Sequence, residues 1–302
     1  MRVARLYDFG DIRIEEQPVP RIGPHEALVK MAVCGICTSD TLPWYVRRKA
    51  PIVLGHEPSG TLIEVGQEVD GFSADQRVFI HHHAPCLVCR FCQRGRYSMC
   101  PTWKASALDP GGLAEYVRIP AINLRNDTLL LPEALTFEDG ALVEPTACAV
   151  QALKRRARIQ SGDRVLIIGL GVMGQILALV AKHYGASQVI VADRVPYRLR
   201  KALALGADLA VDVSKEDLEN RVRDATAGEM TDLVVVGPGT IQAMQSGLAC
   251  LGIGSTLLLF TPTEPSQMLP VSPYHLYSKD NAIVTSYPCG PPDTREALDL
   301  IV

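Results

Sequence analysis

Four cysteines with regular spacing are the strongest chemical signal in this sequence. Two residues separate each of the first three, and seven precede the last; they are Cys86, Cys89, Cys92 and Cys100. Four thiolates on one loop satisfy the tetrahedral coordination of a structural Zn²⁺ ion. Free thiols or disulfides are the alternative, but regular spacing in a chain without a secretion signal favours a metal. A closed zinc site has no position for a substrate, so this ion should hold a loop and do no chemistry.

A second set of potential ligands lies upstream of the four cysteines. Cys37 stands in the segment CGICTSD (34–40), and His56 and Glu57 stand in a Gly-His-Glu motif. A thiolate, an imidazole and a carboxylate suit a zinc ion that keeps one open coordination position. His56 taken alone is more typical of an ordinary loop histidine. Together with Cys37 and the four-cysteine loop, it predicts a catalytic zinc site.

A glycine-rich turn provides the third motif. Gly169, Gly171 and Gly174 occupy the glycine positions of a G-x-G-x-x-G run that follows the apolar segment 164–168 and opens a helical pattern. These glycines permit a tight turn and let backbone N–H groups approach a pyrophosphate at the helix N-terminus. A glycine turn without a ligand is the alternative, which the strand–turn–helix context disfavours.

An acidic residue at the end of the next strand predicts the choice of dinucleotide. Asp193 lies 19 residues beyond Gly174 and would accept hydrogen bonds from both ribose hydroxyls. Its charge would repel a 2′-phosphate, so NAD is expected in preference to NADP. Arg194 and Arg198 lie close by in the sequence and weaken this preference.

The elements that must position these motifs fall into two patterns. Short alternating runs in the first 150 residues predict a barrel-like sheet with long loops. These runs are Ala27–Val33, Gly60–Val65, Arg77–Ile80 and Leu113–Ile119. After residue 160 strands and helices alternate, which predicts a parallel sheet covered by helices on both faces. Its six strands are expected at Arg164–Ile168, Gln188–Ala192, Leu209–Val213, Leu233–Val236, Ser255–Phe260 and Ala282–Thr285, and its helices at Val172–Tyr184, Pro196–Leu205, Lys215–Ala225 and Thr240–Cys250.

Length and composition limit the class of protein. The 302 residues suggest two domains, and 47% hydrophobic residues exclude a disordered chain. A net charge of −3 argues against a nucleic-acid partner. The longest apolar stretch, Val165–Ala181, is shorter than a membrane span requires and contains several glycines. With no targeting signal visible at the N-terminus, we expect a cytoplasmic protein without a membrane partner.

The order of these motifs resembles the zinc-containing medium-chain dehydrogenase/reductase (alcohol dehydrogenase) family, in the branch of sorbitol, threonine and polyol(-phosphate) dehydrogenases. The resemblance runs from the N-terminus to Val302 through the Cys37 loop, Gly-His-Glu, the four cysteines, Val143-Glu144-Pro145, GLGVMG and Asp193. It implies an α/β chain with a GroES-like β-rich catalytic domain at 1–148 and a Rossmann NAD-binding domain at 149–287, with the active site in the cleft between them. Residues 288–302 would begin a C-terminal return to the catalytic domain.

The resemblance also implies roles for individual residues. Cys37, His56, Glu57 and Glu144 would bind the catalytic zinc, Glu144 directly or through water. Asp40 would hold His56, and the Ser39 hydroxyl would touch the substrate alcohol and pass its proton on. Cofactor contacts are implied, beyond the glycines, at Met173, Asp193, Arg198, Phe260, Thr261, Ser286 and Tyr287. Many relatives carry a histidine five residues after the zinc cysteine that ends the proton relay; this chain has Leu42 there.

The expected function is zinc-dependent hydride transfer between a secondary alcohol, a polyol or sugar derivative, and NAD, with two zinc ions per chain. The alternatives are a threonine-type amino-alcohol dehydrogenase, a zinc-free reductase, or a nucleotide-binding protein without activity. His81-His82-His83 is interpreted as a polar loop lining rather than a metal site, and Arg47-Arg48-Lys49 as a solvated loop rather than a phosphate site.

Two expectations concern the whole chain. The apolar strand Ser255–Phe260 should lie near an edge of the Rossmann sheet and support a homodimer or homotetramer. The family continues past the segment that resembles Asp293–Val302, so the chain is expected to be a truncated form of a longer protein, with low stability and weak turnover.

Overall fold

A computed structural model describes all residues from Met1 to Val302. The chain divides into two compact units. One contains Met1–Ala147 together with Cys289–Val302, and the other contains Cys148–Pro288. No helix in the structure combines the length and apolar character needed to cross a membrane.

The first unit is built on two antiparallel sheets. Its strands are β1 (Arg2–Asp8), β2 (Asp11–Glu16), β3 (Ala27–Gly35), β4 (Ile52–Val53), β5 (Glu57–Val65), β6 (Arg77–Ile80), β7 (Tyr116–Ile119) and β8 (Thr128–Leu130). Three strands form a sheet in the order β2-β1-β4, and five form a second sheet in the order β7-β3-β5-β6-β8. Apolar residues of the five-stranded sheet, including Val29, Leu62 and Val117, are fully buried and form the core of this unit.

Short helices connect the strands of the first unit. They are α1 (Pro43–Arg47), α2 (Pro101–Ala105), α3 (Ala121–Asp127), α4 (Phe137–Ala141) and α5 (Val143–Val150). Proline is the first residue of α1 and α2, where its missing N–H costs no hydrogen bond. Thr136 and Asp139 form a capping box at the start of α4. The unit boundary lies within α5, which continues as a π-helical segment over Gln151–Ala157.

The second unit alternates strands and helices. Its strands are β9 (Arg164–Ile168), β10 (Gln188–Asp193), β11 (Leu209–Asp212), β12 (Thr231–Val236), β13 (Leu251–Leu259) and β14 (Ala282–Thr285). Its helices are α6 (Val172–His183), α7 (Pro196–Ala204), α8 (Leu218–Ala225), α9 (Ile241–Ala249) and α10 (Pro273–Ser278). All six strands are parallel in the order β11-β10-β9-β12-β13-β14, the doubly wound order of a Rossmann sheet. This confirms the predicted α/β class and each of the six strands.

Three sequence-based expectations differ from the structure. Helix α8 begins at Leu218 rather than Lys215, because the Asp217 side chain accepts the Asn220 N–H and caps the helix there. The predicted strand over Leu113–Ile119 begins only at Tyr116. The strand containing Ser255–Phe260 pairs with β12 on one side and β14 on the other, so it does not form an exposed edge. The edge on that side of the sheet is β14.

One further helix belongs to the first unit. Helix α11 (Pro291–Ile301) buries Asp293, Thr294 and Ala297, and its Thr294 hydroxyl donates a 2.5 Å hydrogen bond to Asp127 Oδ1. Residues 167 positions apart in the sequence therefore meet in the interior of one unit.

Candidate active site

Strand register brings the predicted catalytic ligands to one end of the five-stranded sheet. Strand β3 ends at Gly35, β5 begins at Glu57, and these two residues are antiparallel partners. Cys37 follows the end of β3 and His56 precedes the start of β5, so both lie beside Glu57. One potential ligand atom from each of Cys37, His56 and Glu57 lies within 4.8 Å of the others. A thiolate, an imidazole and a carboxylate at this spacing fit a catalytic zinc ion, which takes three protein ligands and leaves a fourth position open.

Burial controls the chemistry of these ligands. Burial, together with the nearby Asp40 carboxylate, raises the pKa of the Glu57 carboxyl to about 7. Burial also raises the pKa of the Cys37 thiol to about 12, against hydrogen bonds from the side chain and backbone N–H of Ser39. Burial lowers the pKa of His56, which favours the neutral ring that a metal requires.

Asp40 and Ser39 lie beside the ligand group around Cys37. The Asp40 Oδ2 and His56 Nδ1 atoms are 3.7 Å apart, which is an ion-pair distance and longer than a hydrogen bond. Ser39 lies two residues after Cys37 in the chain. Both residues stand in the short 3₁₀ turn Thr38–Thr41.

Glu144 lies in a neighbouring group. Its carboxylate lies within 4.8 Å of ring nitrogens of His81 and His82, and it is not among the three ligands grouped around Cys37. The His82 ring is in turn 4.9 Å from the His56 ring, measured between centroids. The His83 ring nitrogen Nδ1 bonds to the Ser106 carbonyl oxygen, so the three consecutive histidines have different environments.

The four spaced cysteines come together on one loop. Their sulfur atoms all lie within 4.8 Å of one another, with Cys89–Cys92 and Cys86–Cys100 sulfur distances of 3.5 and 3.6 Å. Backbone N–H groups of Cys86 and Cys89 donate to sulfurs of the same cluster, at 3.4 Å each. Trp103 packs against the cluster and is buried. Four sulfur donors in this arrangement fit a structural zinc ion.

The glycine motif forms the candidate dinucleotide site in the second unit. Gly169 follows β9 and has a φ of +89°, which a residue with a side chain adopts only under strain. A Cβ atom on Gly174 would lie 2.0 Å from the Gly169 carbonyl oxygen, so only glycine lets α6 pack this closely. No heavy atom lies within 4 Å of the position that a Cβ of Gly171 would take. The backbone at the start of α6 is therefore uncovered by side chains, which lets a pyrophosphate approach its N–H groups.

Asp193 ends β10 directly beside that turn. Its Oδ2 accepts the Leu170 N–H at 2.6 Å and its Oδ1 accepts the Val195 N–H at 2.9 Å, which fixes the buried carboxylate in place. Arg198 Nη1 lies 3.6 Å from Asp193 Oδ2, while Arg194 is exposed. The remaining predicted contacts occupy the same edge of the sheet, since they follow the carboxyl ends of parallel strands: Phe260 and Thr261 after β13, and Ser286 and Tyr287 after β14. Met173 lies in the first turn of α6.

Comparison with known proteins places this geometry in a family. The family model described as "Alcohol dehydrogenase GroES-like domain" matches residues 23–127, and the one described as "Zinc-binding dehydrogenase" matches residues 172–302. The chain belongs to the zinc-binding alcohol dehydrogenase family. Sorbitol dehydrogenase of Ovis aries is 38% identical over 259 residues, which span 83% of this chain and 72% of that protein.

Solved structures support the same placement of this zinc-binding alcohol dehydrogenase. A zinc-binding dehydrogenase from Sinorhizobium meliloti bound to NADP superposes with a TM-score of 0.89 at 26% identity, covering 99% of this chain and 87% of the other. Galactitol-1-phosphate dehydrogenase from Escherichia coli superposes with a TM-score of 0.87 at 25% identity, covering 100% and 88%. The chain is therefore an enzyme, a zinc-dependent alcohol oxidoreductase that uses a nicotinamide dinucleotide.

Gly35 contributes to the site in a way that the sequence alone did not predict. A Cβ atom on Gly35 would lie 2.0 Å from Glu57 Oε2, so glycine at this position makes room for the carboxylate of a predicted ligand. Gly35 is visible in the Cys37 segment, but its role depends on the β3–β5 register, which the sequence does not show.

Proposed function

We propose that this dehydrogenase oxidises a secondary alcohol of a polyol or sugar derivative to the ketone, with NAD as the hydride acceptor. The observation that carries the proposal is the Cys37–His56–Glu57 group, whose three ligand atoms lie within 4.8 Å of one another. The sorbitol and galactitol-1-phosphate dehydrogenases among its relatives support a polyol as the substrate class.

Each residue of this site has a proposed task. Cys37, His56 and Glu57 hold a zinc ion, which when bound polarises the alcohol oxygen as a Lewis acid. Asp40 keeps the His56 ring oriented, and Gly35 leaves room for the Glu57 carboxylate. Ser39 Oγ accepts the proton of the substrate hydroxyl and passes it to water, because residue 42 is leucine rather than histidine. The coenzyme supplies the redox chemistry.

Residues of the second unit hold and select the coenzyme. The backbone of Gly169, Gly171 and Gly174 receives the pyrophosphate, and Asp193 receives the ribose hydroxyls. A buried carboxylate facing a 2′-phosphate is a like-charge contact that costs several kcal/mol, which favours NAD. Because one related structure contains NADP, the ratio of kcat/KM values for NAD and NADP is the measurement that tests this preference. A preference for NADP would mean that Arg194 or Arg198 outweighs Asp193.

The proposed activity is tested by a screen of NAD reduction over polyols, sugar phosphates and amino-alcohols, with zinc measured on the same sample. We expect turnover of a polyol by protein that holds zinc. Turnover of an amino-alcohol alone would replace the polyol, and NAD binding without turnover of any alcohol would contradict the proposal.

We also propose a cytoplasmic homodimer or homotetramer. Nine cysteines without a disulfide agree with a reducing compartment. Strand β14 forms an outer edge of the parallel sheet, and such an edge can pair with its copy across a two-fold axis. Light scattering that shows only monomer at micromolar concentration would contradict self-association.

A further inference from the structure

A second group of metal-binding side chains lies beside the candidate catalytic site. Ligand atoms of His81, His82 and Glu144 lie within 4.8 Å of one another, and His81 and Glu144 are buried. Cys289, also buried, places its sulfur 3.8 Å from His81 Nε2. Two imidazoles, a carboxylate and a thiol therefore converge in the interior of the first unit.

Strand register again explains this convergence. His81 directly follows β6, whose Ile80 pairs with Thr128 of β8, so His81 lies beside Asp127. The backbone confirms this arrangement, because the His81 N–H donates to the Asp127 carbonyl at 3.0 Å.

The contacts that hold the His81 ring are of the kind that commonly orient a metal-binding histidine. Its Nδ1 lies 2.5 Å from Asp127 Oδ2, and the Thr294 hydroxyl donates to Asp127 Oδ1. These contacts orient the ring so that Nε2 faces Cys289. In metal sites the ligating histidine commonly donates its other ring N–H to a carboxylate, which fixes the tautomer and the ring orientation.

The buried charge of Asp127 is consistent with a cation at this position. The Asp127 and His81 side chains are fully buried, and the contacts to the Asp127 carboxylate come from a ring nitrogen and a hydroxyl. Buried charges are normally paired or bound to metal, and a cation on His81 Nε2 would lie across the ring from this carboxylate.

His82 provides an independent observation. Its Nδ1 atom is shielded from solvent and has no hydrogen-bond partner in the structure. Buried polar atoms nearly always have a partner, so this nitrogen, on a residue of the group, is available to a ligand.

We propose that His81, His82, Glu144 and Cys289 bind a second metal ion beside the catalytic site. Nitrogen, oxygen and sulfur donors in this combination suit Zn²⁺. Binding releases the thiol proton of Cys289 to solvent and changes no oxidation state. The chain then holds three zinc ions: one in the four-cysteine loop, one at Cys37, and one at this buried group.

Zinc stoichiometry tests the proposal directly. The purified chain, loaded with Zn²⁺ and dialysed, should contain three zinc ions by mass spectrometry of the metal. The Cys289→Ala and His82→Phe variants should each contain two. Cys250→Ala and His83→Phe are matched controls, and both should contain three zinc ions. Cys250 is a buried cysteine of the second unit that belongs to no ligand group. His83 is next to the proposed metal site but is not one of its ligands.

A double variant distinguishes the new ion from the catalytic one. Cys37→Ala combined with Cys289→Ala should lose two zinc ions, whereas loss of only one would mean that both residues serve one ion and would overturn the proposal. If the Cys289 variant does not fold, the wild-type chain still decides, since saturation at two zinc ions excludes the third site. The activity screen is a separate readout, so the metal site can fail while the proposed function stands, or the reverse.

Discussion

Cys37 and Glu57 are neighbours at the candidate catalytic centre, where their ligand atoms lie within 4.8 Å of each other. Burial raises the pKa of both groups, so in the absence of metal the Cys37 thiol keeps its proton and Glu57 titrates near neutral pH. Both must lose their protons to bind zinc. Metal binding, proton release and catalysis are therefore linked at these two residues.

Replacing the thiol should remove the catalytic zinc alone. The Cys37→Ala variant should lose one zinc ion and lower kcat/KM by roughly 100-fold or more, because the Lewis acid contributes several kcal/mol. Cys34→Ala is the matched control, since Cys34 lies three residues away and belongs to no ligand group. Metal analysis, circular dichroism and steady-state kinetics on both variants check this expectation. Retained activity in Cys37→Ala would contradict the assignment of this ligand.

The affinity of the catalytic site for zinc should fall with falling pH because zinc displaces the Cys37 proton, and it should fall more steeply below about 7, the pKa of Glu57. Below that pH the carboxyl is protonated, and zinc must displace the proton. For each proton that zinc displaces, the apparent affinity for zinc falls about tenfold for every unit by which the pH is lowered. Competition with a chelator at several pH values measures this dependence. In Glu57→Gln the inflection near neutral pH should disappear, and an unchanged inflection there would assign it to another group.

At the scale of elements, the ends of four strands assemble the chemistry of the first unit. Strands β3, β5, β6 and β8 are antiparallel neighbours, and the turns at one end of them carry the catalytic ligands and the buried histidine group. Gly35 and Glu57 are paired residues at that end, and their register leaves no room for a side chain at position 35.

A single methyl group at that register position should displace a ligand. Gly35→Ala places a Cβ atom 2.0 Å from Glu57 Oε2, so the carboxylate must move. We expect loss of the catalytic zinc, retention of the four-cysteine zinc, and a fall in activity comparable with Glu57→Gln. Gly23→Ala is the control, because its Cβ would make an ordinary 3.4 Å contact with Glu26. Full zinc content in Gly35→Ala would contradict this reasoning.

The sequence was sufficient to predict the second unit because its signals are local. A strand buried on both faces reads as an apolar run, and Gly169 and Asp193 mark the ends of two such runs. All six strands were predicted for this reason. The Ser255–Phe260 strand lies near an edge of the sheet, as predicted, but β14 covers it, which the sequence did not show because strand order is a long-range property.

The first unit was harder to predict from sequence. Cys37, His56 and Glu57 were recognisable as a ligand set from residue type, but the group formed by His81, Asp127 and Cys289 was not. Its members meet through the pairing of β6 with β8 and the return of α11, and no local pattern encodes either. Strands β1, β2, β4 and β8 were missed because they are short or partly exposed.

At the scale of the whole molecule, each unit carries its own candidate ligand site. The candidate zinc sites lie in the first unit and the dinucleotide motif lies in the second, so each ligand should stabilise the unit that holds it. Ligand at 100 times its dissociation constant contributes about 2.7 kcal/mol.

Hydrogen exchange can resolve the two effects. NAD should slow exchange around Gly169–Gly174 and Asp193, whereas removal of zinc by a chelator should speed exchange in the loop Cys86–Cys100. Gly174→Ala, whose Cβ would lie 2.0 Å from the Gly169 carbonyl oxygen, should abolish the effect of NAD. Equal protection by NAD in that variant would mean that the coenzyme binds elsewhere.

The discontinuity of the first unit has a consequence for synthesis on the ribosome. The second unit is one contiguous stretch, Cys148–Pro288, whereas the first unit is divided between Met1–Ala147 and Cys289–Val302. Thr294, whose hydroxyl donates to Asp127, is synthesised 167 residues after Asp127. At about 5–20 residues per second this interval lasts roughly 8–30 s. During this interval the Asp127 carboxylate lacks the Thr294 hydroxyl, so its native hydrogen bond forms only after the second unit has been synthesised.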